Sequence, residues 1–142
     1  MILLDTDHLT VLTFPEHARN TALRERIAAV TDPVVGITIV SAEEAMRGWL
    51  AAINRITDVR AQITPYGQLA DLFGFFARWL IIRFDSRAAD EFESLRKQKV
   101  RIGTMDLKIA AIALTNNALL LSANLRDYRQ VPGLRVENWL VE

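Results

Sequence analysis

The chain has 142 residues, of which 51% are apolar and 24% charged; it contains no cysteine and two histidines, and its formal net charge is zero. That length suits one domain, residues 1–142, with a full-sized core, and the composition excludes a disordered chain. Without cysteine there is no disulfide scaffold, thiolate nucleophile or thiolate-bound zinc, and with zero net charge a polyanion must be gripped by a local basic patch.

Ile2–Leu4 reads as a short buried strand that ends against two carboxylates, Asp5 and Asp7. A short helix starts from Thr6 or Asp7, because Asp and Thr are good N-caps. Residues 17–30 read as a helix with Ala22, Ile27 and Val30 inward, and Asp32-Pro33 breaks it. Val34–Ile39 is a β-branched run, a second strand. Ser41–Ala52 is helical, with a further helical stretch to about Thr64. Pro65 and Gly67 then break the chain. The next helix carries Leu69, Leu72, Phe73, Phe76 and Leu80 on one stripe, and Leu80–Phe84 offers a third strand.

Ser86–Lys97 is helical, with Ala89, Phe92 and Leu95 inward. Thr104–Asn117 is a helix apolar on most sides and therefore well buried. Ala118–Leu121 is a fourth strand, Leu125–Tyr128 a turn of helix, and Arg135–Val136 a last short strand beyond Pro132-Gly133. Strands alternating with helices predict right-handed βαβ units. The fold class is α/β, a single domain with a central, mostly parallel sheet of four to five strands flanked by helices on both faces. No basic n-region precedes the first apolar run, and no apolar stretch reaches the ~18 residues that span a bilayer. A cytoplasmic location and no membrane are expected.

Open parallel sheets form sites at the carboxyl ends of their strands. Asp5 ends the first strand, Glu44 and Asp106 lie in helix first turns, and Asn124 follows the fourth strand with Asp127 three residues on. Each has a structural explanation when taken alone. Ser41 and Glu44 have capping-box spacing, Asp106 suits a helix dipole, Asp7 suits a cap, and Asn124 suits a turn. Pooled at one sheet edge, however, carboxylates raise one another's pKa, and a cation removes that cost. With no cysteine and little histidine the cation is an oxygen-preferring one, Mg²⁺ or Mn²⁺, and the chemistry is phosphoryl transfer.

With those residues placed, the sequence resembles PIN-domain ribonucleases of the VapC toxin type. The matching segments are ILLDTDHLTVL at the start, SAEEAMRG at 41–48, FDSRAADEFESLR at 84–96, IGTMDLKIAAIAL at 102–114 and LLLSANLRDYRQVPGLRVENW at 119–139. They recur in the family's order over most of the chain; residues 50–80 match least. The resemblance implies an acidic pocket for Mg²⁺ or Mn²⁺ built from Asp5, Glu44 and Asp106. Asn124 falls on a fourth position that is Asp or Asn in relatives, and Thr6 and Ser122 fall on hydroxyl positions that order the pocket. Two departures stand out. Asp7 replaces the family's usual Asn, and with Asn124 neutral, Asp127 is held in reserve as the fourth charge.

The expected activity is metal-dependent cleavage of an RNA phosphodiester. Asp5 and Asp106 hold the ion, Glu44 orients or deprotonates the attacking water, and a 5′-phosphate and a 3′-hydroxyl result by the family's pattern. Lys97, Lys99 and Arg101 before Asp106, with Arg126 and Arg129 after Asn124, are candidates to hold RNA phosphates; the first group also suits a solvated helix end. Trp49, Phe73, Phe75, Phe76, Trp79 and Trp139 are candidates for an apolar binding surface, with Phe73 and Phe76 fitting the core and Phe75 exposed. The resemblance further implies a cognate antitoxin and a homodimer. Two other readings compete. A haloacid-dehalogenase-like phosphatase also uses Asp-x-Asp after its first strand, but it needs a later Lys and an acidic motif that are not in place. A catalytically weakened PIN domain kept as an interaction module is opposed by the intact Asp5, Glu44 and Asp106.

Overall fold

A computed structural model describes residues 1–31 and 34–141; the Asp32-Pro33 break expected from sequence lies outside the described residues. The strands are β1 (Ile2–Leu4), β2 (Val35–Thr38), β3 (Leu80–Ile82), β4 (Leu119–Leu121) and β5 (Arg135–Glu137). All pair in parallel in the order β3-β2-β1-β4-β5. The helices are α1 (Thr6–Thr13), α2 (Asn20–Ala29), α3 (Ile39–Arg55), α4 (Ile63–Phe76), α5 (Ser86–Lys97), α6 (Thr104–Thr115) and α7 (Leu125–Tyr128).

Successive strand side chains point to opposite faces, so each central strand feeds two cores. Leu3 and Leu120 pack with Ala88 and Leu95 of α5 and with the buried run Ile109–Ala113 of α6. Ile2, Leu4, Ile37 and Leu121 pack on the other face with Leu9 and Leu12 of α1, Leu23 of α2, and Leu72 and Phe76 of α4. Helices thus cover both faces, as the near-continuous apolar strands require. At Gly36 in β2 a Cβ would sit 2.7 Å from the Leu80 carbonyl oxygen of β3, so the close approach of these strands needs glycine.

The structure corrects several local expectations. In α2 the inward residue is Leu23, not Ala22, which is exposed. Helix α3 begins at Ile39, two residues before Ser41, because Thr38 is its N-cap: Thr38 Oγ1 accepts from the Ser41 amide at 3.0 Å. The Ser41–Glu44 capping box therefore does not form. The chain leaves helix at Ile56, makes one 3-10 turn at Arg60–Gln62, and enters α4 at Ile63. Pro65 lies inside the first turn of α4, where a helix needs no amide donor, so it starts the helix rather than breaking it.

The buried face of α4 is rotated from the expected stripe and runs through Leu72, Phe75 and Phe76. Phe75 is buried and stacks on Trp79 with ring centroids 5.2 Å apart, whereas Phe73 is 52% exposed. The roles expected for these two phenylalanines are therefore exchanged. Leu80 belongs to the edge strand β3 rather than to the α4 stripe, and it is also exposed.

Candidate metal centre

In this strand order the connections leave β1 toward β2 on one side, while β4 pairs with β1 on the other. A crevice therefore opens at the carboxyl ends of β1 and β4. Asp5 follows β1 directly and is the N-cap of α1. Its Oδ1 accepts from the Thr6 amide at 2.8 Å and its Oδ2 from Ser122 Oγ, just past β4, at 2.7 Å. Released from capping, Glu44 turns toward β1 and accepts from Thr6 Oγ1 at 3.1 Å. Asp106, in the first turn of α6, accepts from Tyr128 Oη at 3.1 Å and from Asn124 Nδ2 at 3.2 Å. Asp5, Glu44 and Asp106 each bring a carboxylate oxygen within 4.8 Å of the other two.

The electrostatics follow from that proximity. Burial, reinforced by the Asp7 and Asp106 charges, pushes the Asp5 carboxyl up to about 7. Glu44 is raised by burial and then by Asp106 and Glu43, and Asp106 by burial and then by Asp127. Three carboxyls that ionise reluctantly and share one space form an all-oxygen donor set, which fits a hard divalent cation such as Mg²⁺ or Mn²⁺.

Asp7 behaves differently. Burial acts to raise its pKa but is outweighed by donors from His8 and Ala123, which hold it below the ordinary carboxylate value. It stands outside the three-carboxylate group. Asn124 and Asp127 both reach this end of the sheet: Asn124 Nδ2 lies 3.2 Å from Asp106 Oδ2 and 3.1 Å from Asp127 Oδ2. The neutral side chain thus sits between the two acids and separates their charges.

Sequence reasoning missed Tyr128 and His8 as parts of the site, and Trp139, expected on an apolar binding surface, is instead buried with its amide donating to His8 Nε2. Tyr128 is fully buried, and burial facing the Asp5 and Asp106 carboxylates drives its ionisation far above the normal phenol range. It therefore serves as a fixed O–H donor. The signal available was its spacing: it lies four residues after Asn124, on the same side of a helical turn.

Among the candidate RNA contacts, Lys97, Lys99, Arg101, Arg126 and Arg129 are all exposed. Lys108, half-buried two residues past Asp106, lines a cleft of about 490 Å³ with Glu43, Arg47 and Phe84; it was also missed. A second cleft, of about 320 Å³, runs from Thr6 and Glu44 to Phe14 and Trp49. No helix among the described residues is long and apolar enough to cross a membrane.

A model of the PIN domain matches residues 2–134. The chain belongs to the PIN-domain family. Among curated proteins of this family type, it is 27% identical to the tRNA(fMet)-specific endonuclease VapC of Salmonella typhimurium, over 96% of each chain. The fold is shared with VapBC-1 from nontypeable Haemophilus influenzae, with a TM-score of 0.76 and 20% identity over 99% of this chain and 100% of that one. A toxin-antitoxin complex from Klebsiella pneumoniae gives a TM-score of 0.69 and 21% identity over 98% of each chain. At those identities the two structures speak to the PIN fold alone.

Proposed function

We propose that this PIN domain is a divalent-metal-dependent endoribonuclease, the toxin of a toxin–antitoxin pair, with residues 1–142 acting as one nuclease domain. The observation that carries this reading is the meeting of Asp5, Glu44 and Asp106 oxygens within 4.8 Å at the carboxyl edge of the sheet. The Salmonella typhimurium relative, matched along nearly its whole length, is named as an endonuclease acting on a tRNA, which favours RNA as substrate.

In this mechanism Asp5 and Asp106 are the protein ligands of the ion. Bound Mg²⁺ or Mn²⁺ supplies polarisation of a phosphoryl oxygen and a lowered pKa for the attacking water. Glu44, steered by Thr6 Oγ1, orients that water and takes its proton; its raised pKa brings it closer to the operating pH, as a general base requires. As the water oxygen bonds to phosphorus the P–O3′ bond breaks, leaving a 5′-phosphate and a 3′-oxygen that takes a proton from solvent to become the hydroxyl. Asn124 and Tyr128 fix the Asp106 carboxylate, Ser122 fixes Asp5, and Asp127 is held off by the Asn124 amide.

Exposed Lys97, Lys99 and Arg101 before α6, with Arg126 on α7 and Arg129 just after it, hold RNA phosphates, joined by Lys108 two residues past Asp106. The cleft from Glu44 to Trp49 suits an antitoxin segment laid over the acids. Exposed Ile39 and Leu50 on the rim of the larger cleft suit a homodimer contact. The protein works in the cytoplasm.

The test incubates the protein with labelled RNA or with para-nitrophenyl phosphate, each with Mn²⁺ or with EDTA. RNA cleavage that EDTA stops, with no phosphatase activity, supports the reading. Hydrolysis of the small phosphoester but not of RNA overturns it.

A further inference from the structure

Asp7 carries more donors than any of the three clustered carboxylates. Its Oδ1 accepts from the His8 amide at 2.6 Å and from His8 Nδ1 at 2.5 Å. Its Oδ2 accepts from the Ala123 amide at 2.8 Å, with Ser122 Oγ at 3.4 Å. A carboxylate offers about four lone-pair sites, and here three N–H donors face them, since the one proton of Ser122 goes to Asp5. By contrast Asp5 and Asp106 each receive two donors and Glu44 one.

The His8 ring is fully buried and bonded at both nitrogens. Its Nε2 accepts from the Trp139 amide at 3.0 Å. A backbone N–H can only donate, so Nε2 is the unprotonated nitrogen and the ring proton sits on Nδ1, facing Asp7. A continuous chain results: Trp139 amide, His8 ring, Asp7 carboxylate, then the Ala123 amide, next to Ser122. Ser122 Oγ in turn donates to Asp5 Oδ2 and accepts from the Asn124 amide at 3.0 Å. The segment beyond β5 is thereby tied to the end of β1 and to the loop that presents Asn124.

We propose that His8 is a positioning residue for the metal centre: it pins Asp7 against the loop after β4, so that Asp7 holds the Ala123 amide, between Ser122 and Asn124, and is withheld from the ion as a fourth carboxylate. This also accounts for Asp rather than Asn at position 7. Donors face both oxygens, and an amide would turn an N–H toward either His8 or Ala123. The inference rests on the metal-centre reading above, but its central claim concerns the brace, which can be read without metal or RNA.

Three variants divide the two bonds of the ring. His8→Asn keeps a donor near the Nδ1 position and loses the acceptor for Trp139. His8→Gln keeps an acceptor near Nε2 and loses the donor to Asp7. His8→Leu loses both. Amide hydrogen exchange by NMR on metal-free protein, at one pH, reads the brace directly. The Ala123 amide is expected to exchange at least ten-fold faster in His8→Gln and His8→Leu and near the wild-type rate in His8→Asn, whereas the Trp139 amide speeds up in His8→Asn and His8→Leu.

Calorimetric titration with Mn²⁺ then reads the consequence. Loss of an outer hydrogen-bonding partner is expected to weaken binding roughly ten-fold in His8→Gln and His8→Leu, with His8→Asn within about three-fold of wild type. Unchanged Ala123 exchange in folded His8→Leu overturns the proposal, as does wild-type Mn²⁺ affinity in that variant. If wild-type protein binds Mn²⁺ yet leaves RNA intact, the nuclease reading fails and the brace stands. If it binds no Mn²⁺, the metal-centre reading fails and Ala123 exchange alone decides the role of His8.

Discussion

The Tyr128 hydroxyl donates to Asp106 Oδ1 across 3.1 Å, joining the short helix after β4 to the first turn of the buried helix before it. Tyr128 lies in the core that packs on Leu3 and Leu120, so its ring is held by apolar neighbours while its polar tip serves the acidic crevice. An aromatic residue with one polar end is suited to that boundary. The bond favours the ionised form of Asp106, opposing the burial that raises its pKa.

Removing that donor is therefore predicted to act on the ion more than on the fold. Tyr128→Phe leaves the ring packing in place and costs about 1 kcal/mol of stability, the worth of one hydrogen bond. The Asp106 pKa rises further, and Mn²⁺ must displace a more tightly held proton. Calorimetry at pH 7 is expected to show several-fold weaker binding than wild type, with a smaller difference at pH 8.5. Equal affinity at both pH values would show that the hydroxyl does not tune Asp106.

Asp5→Asn separates chemistry from stability. The asparagine oxygen can still accept from the Thr6 amide, and its amide can face Ser122 Oγ, whose proton then turns to Asp7 Oδ2, 3.4 Å away. Cleavage of RNA is expected to fall by at least two orders of magnitude, in keeping with the loss of preorganised charge at a reacting centre. The thermal midpoint of the metal-free variant is expected to match or exceed that of wild type at pH 8, because one buried charge is gone. A variant that melts well below wild type would mean that the Asp5 charge holds the fold together.

The pH dependence of the metal-free protein has a definite sign. Asp5 titrates near 7 when folded and near 3.8 when unfolded. A carboxyl whose folded pKa is raised contributes stability that is full below the unfolded value and lost as pH rises through the folded one. Glu44 and Asp106 are raised and act in the same direction. The thermal midpoint in EDTA is thus expected to fall between pH 5 and pH 8. Asp7, lowered, contributes the opposite dependence, but only below its unfolded value of 3.8, outside that window. Saturating Mn²⁺ should raise the midpoint most at pH 8, where the acids are ionised. A midpoint that climbs with pH in EDTA would contradict the placement of these three groups.

Gly36→Ala tests the sheet independently of the site. A Cβ there meets the Leu80 carbonyl oxygen at 2.7 Å, and a backbone atom of a paired strand cannot move aside cheaply. Denaturant unfolding is expected to show a loss of about 1–3 kcal/mol, the usual penalty for overpacking. Because β3 is the edge strand beyond β2, Mn²⁺ affinity should change little.

The strands, their alternation with helices and the positions of the acids all follow from local patterns of residues. Ile2–Leu4 is apolar and ends at Asp5, Ser86–Lys97 has a helical stripe, and Leu125–Tyr128 a clear local start, so each was legible over a few residues. Tertiary structure decided what those residues do. Glu44 has capping-box spacing from Ser41, and only the cap at Thr38 frees it to meet Thr6, 38 positions away. Asp7 and Asp5 look alike in sequence. One is saturated by His8 and by Ala123, 116 positions on, while the other stays in the three-carboxylate group. Phe73 and Phe75 exchanged places because α4 docks on the core through Leu72, Phe75 and Phe76, a stripe at i, i+3, i+4 that competes with the one through Phe73. Periodicity and capping act over about one helical turn, whereas the partners of a buried carboxylate are fixed by strand order, which brings distant segments to one edge.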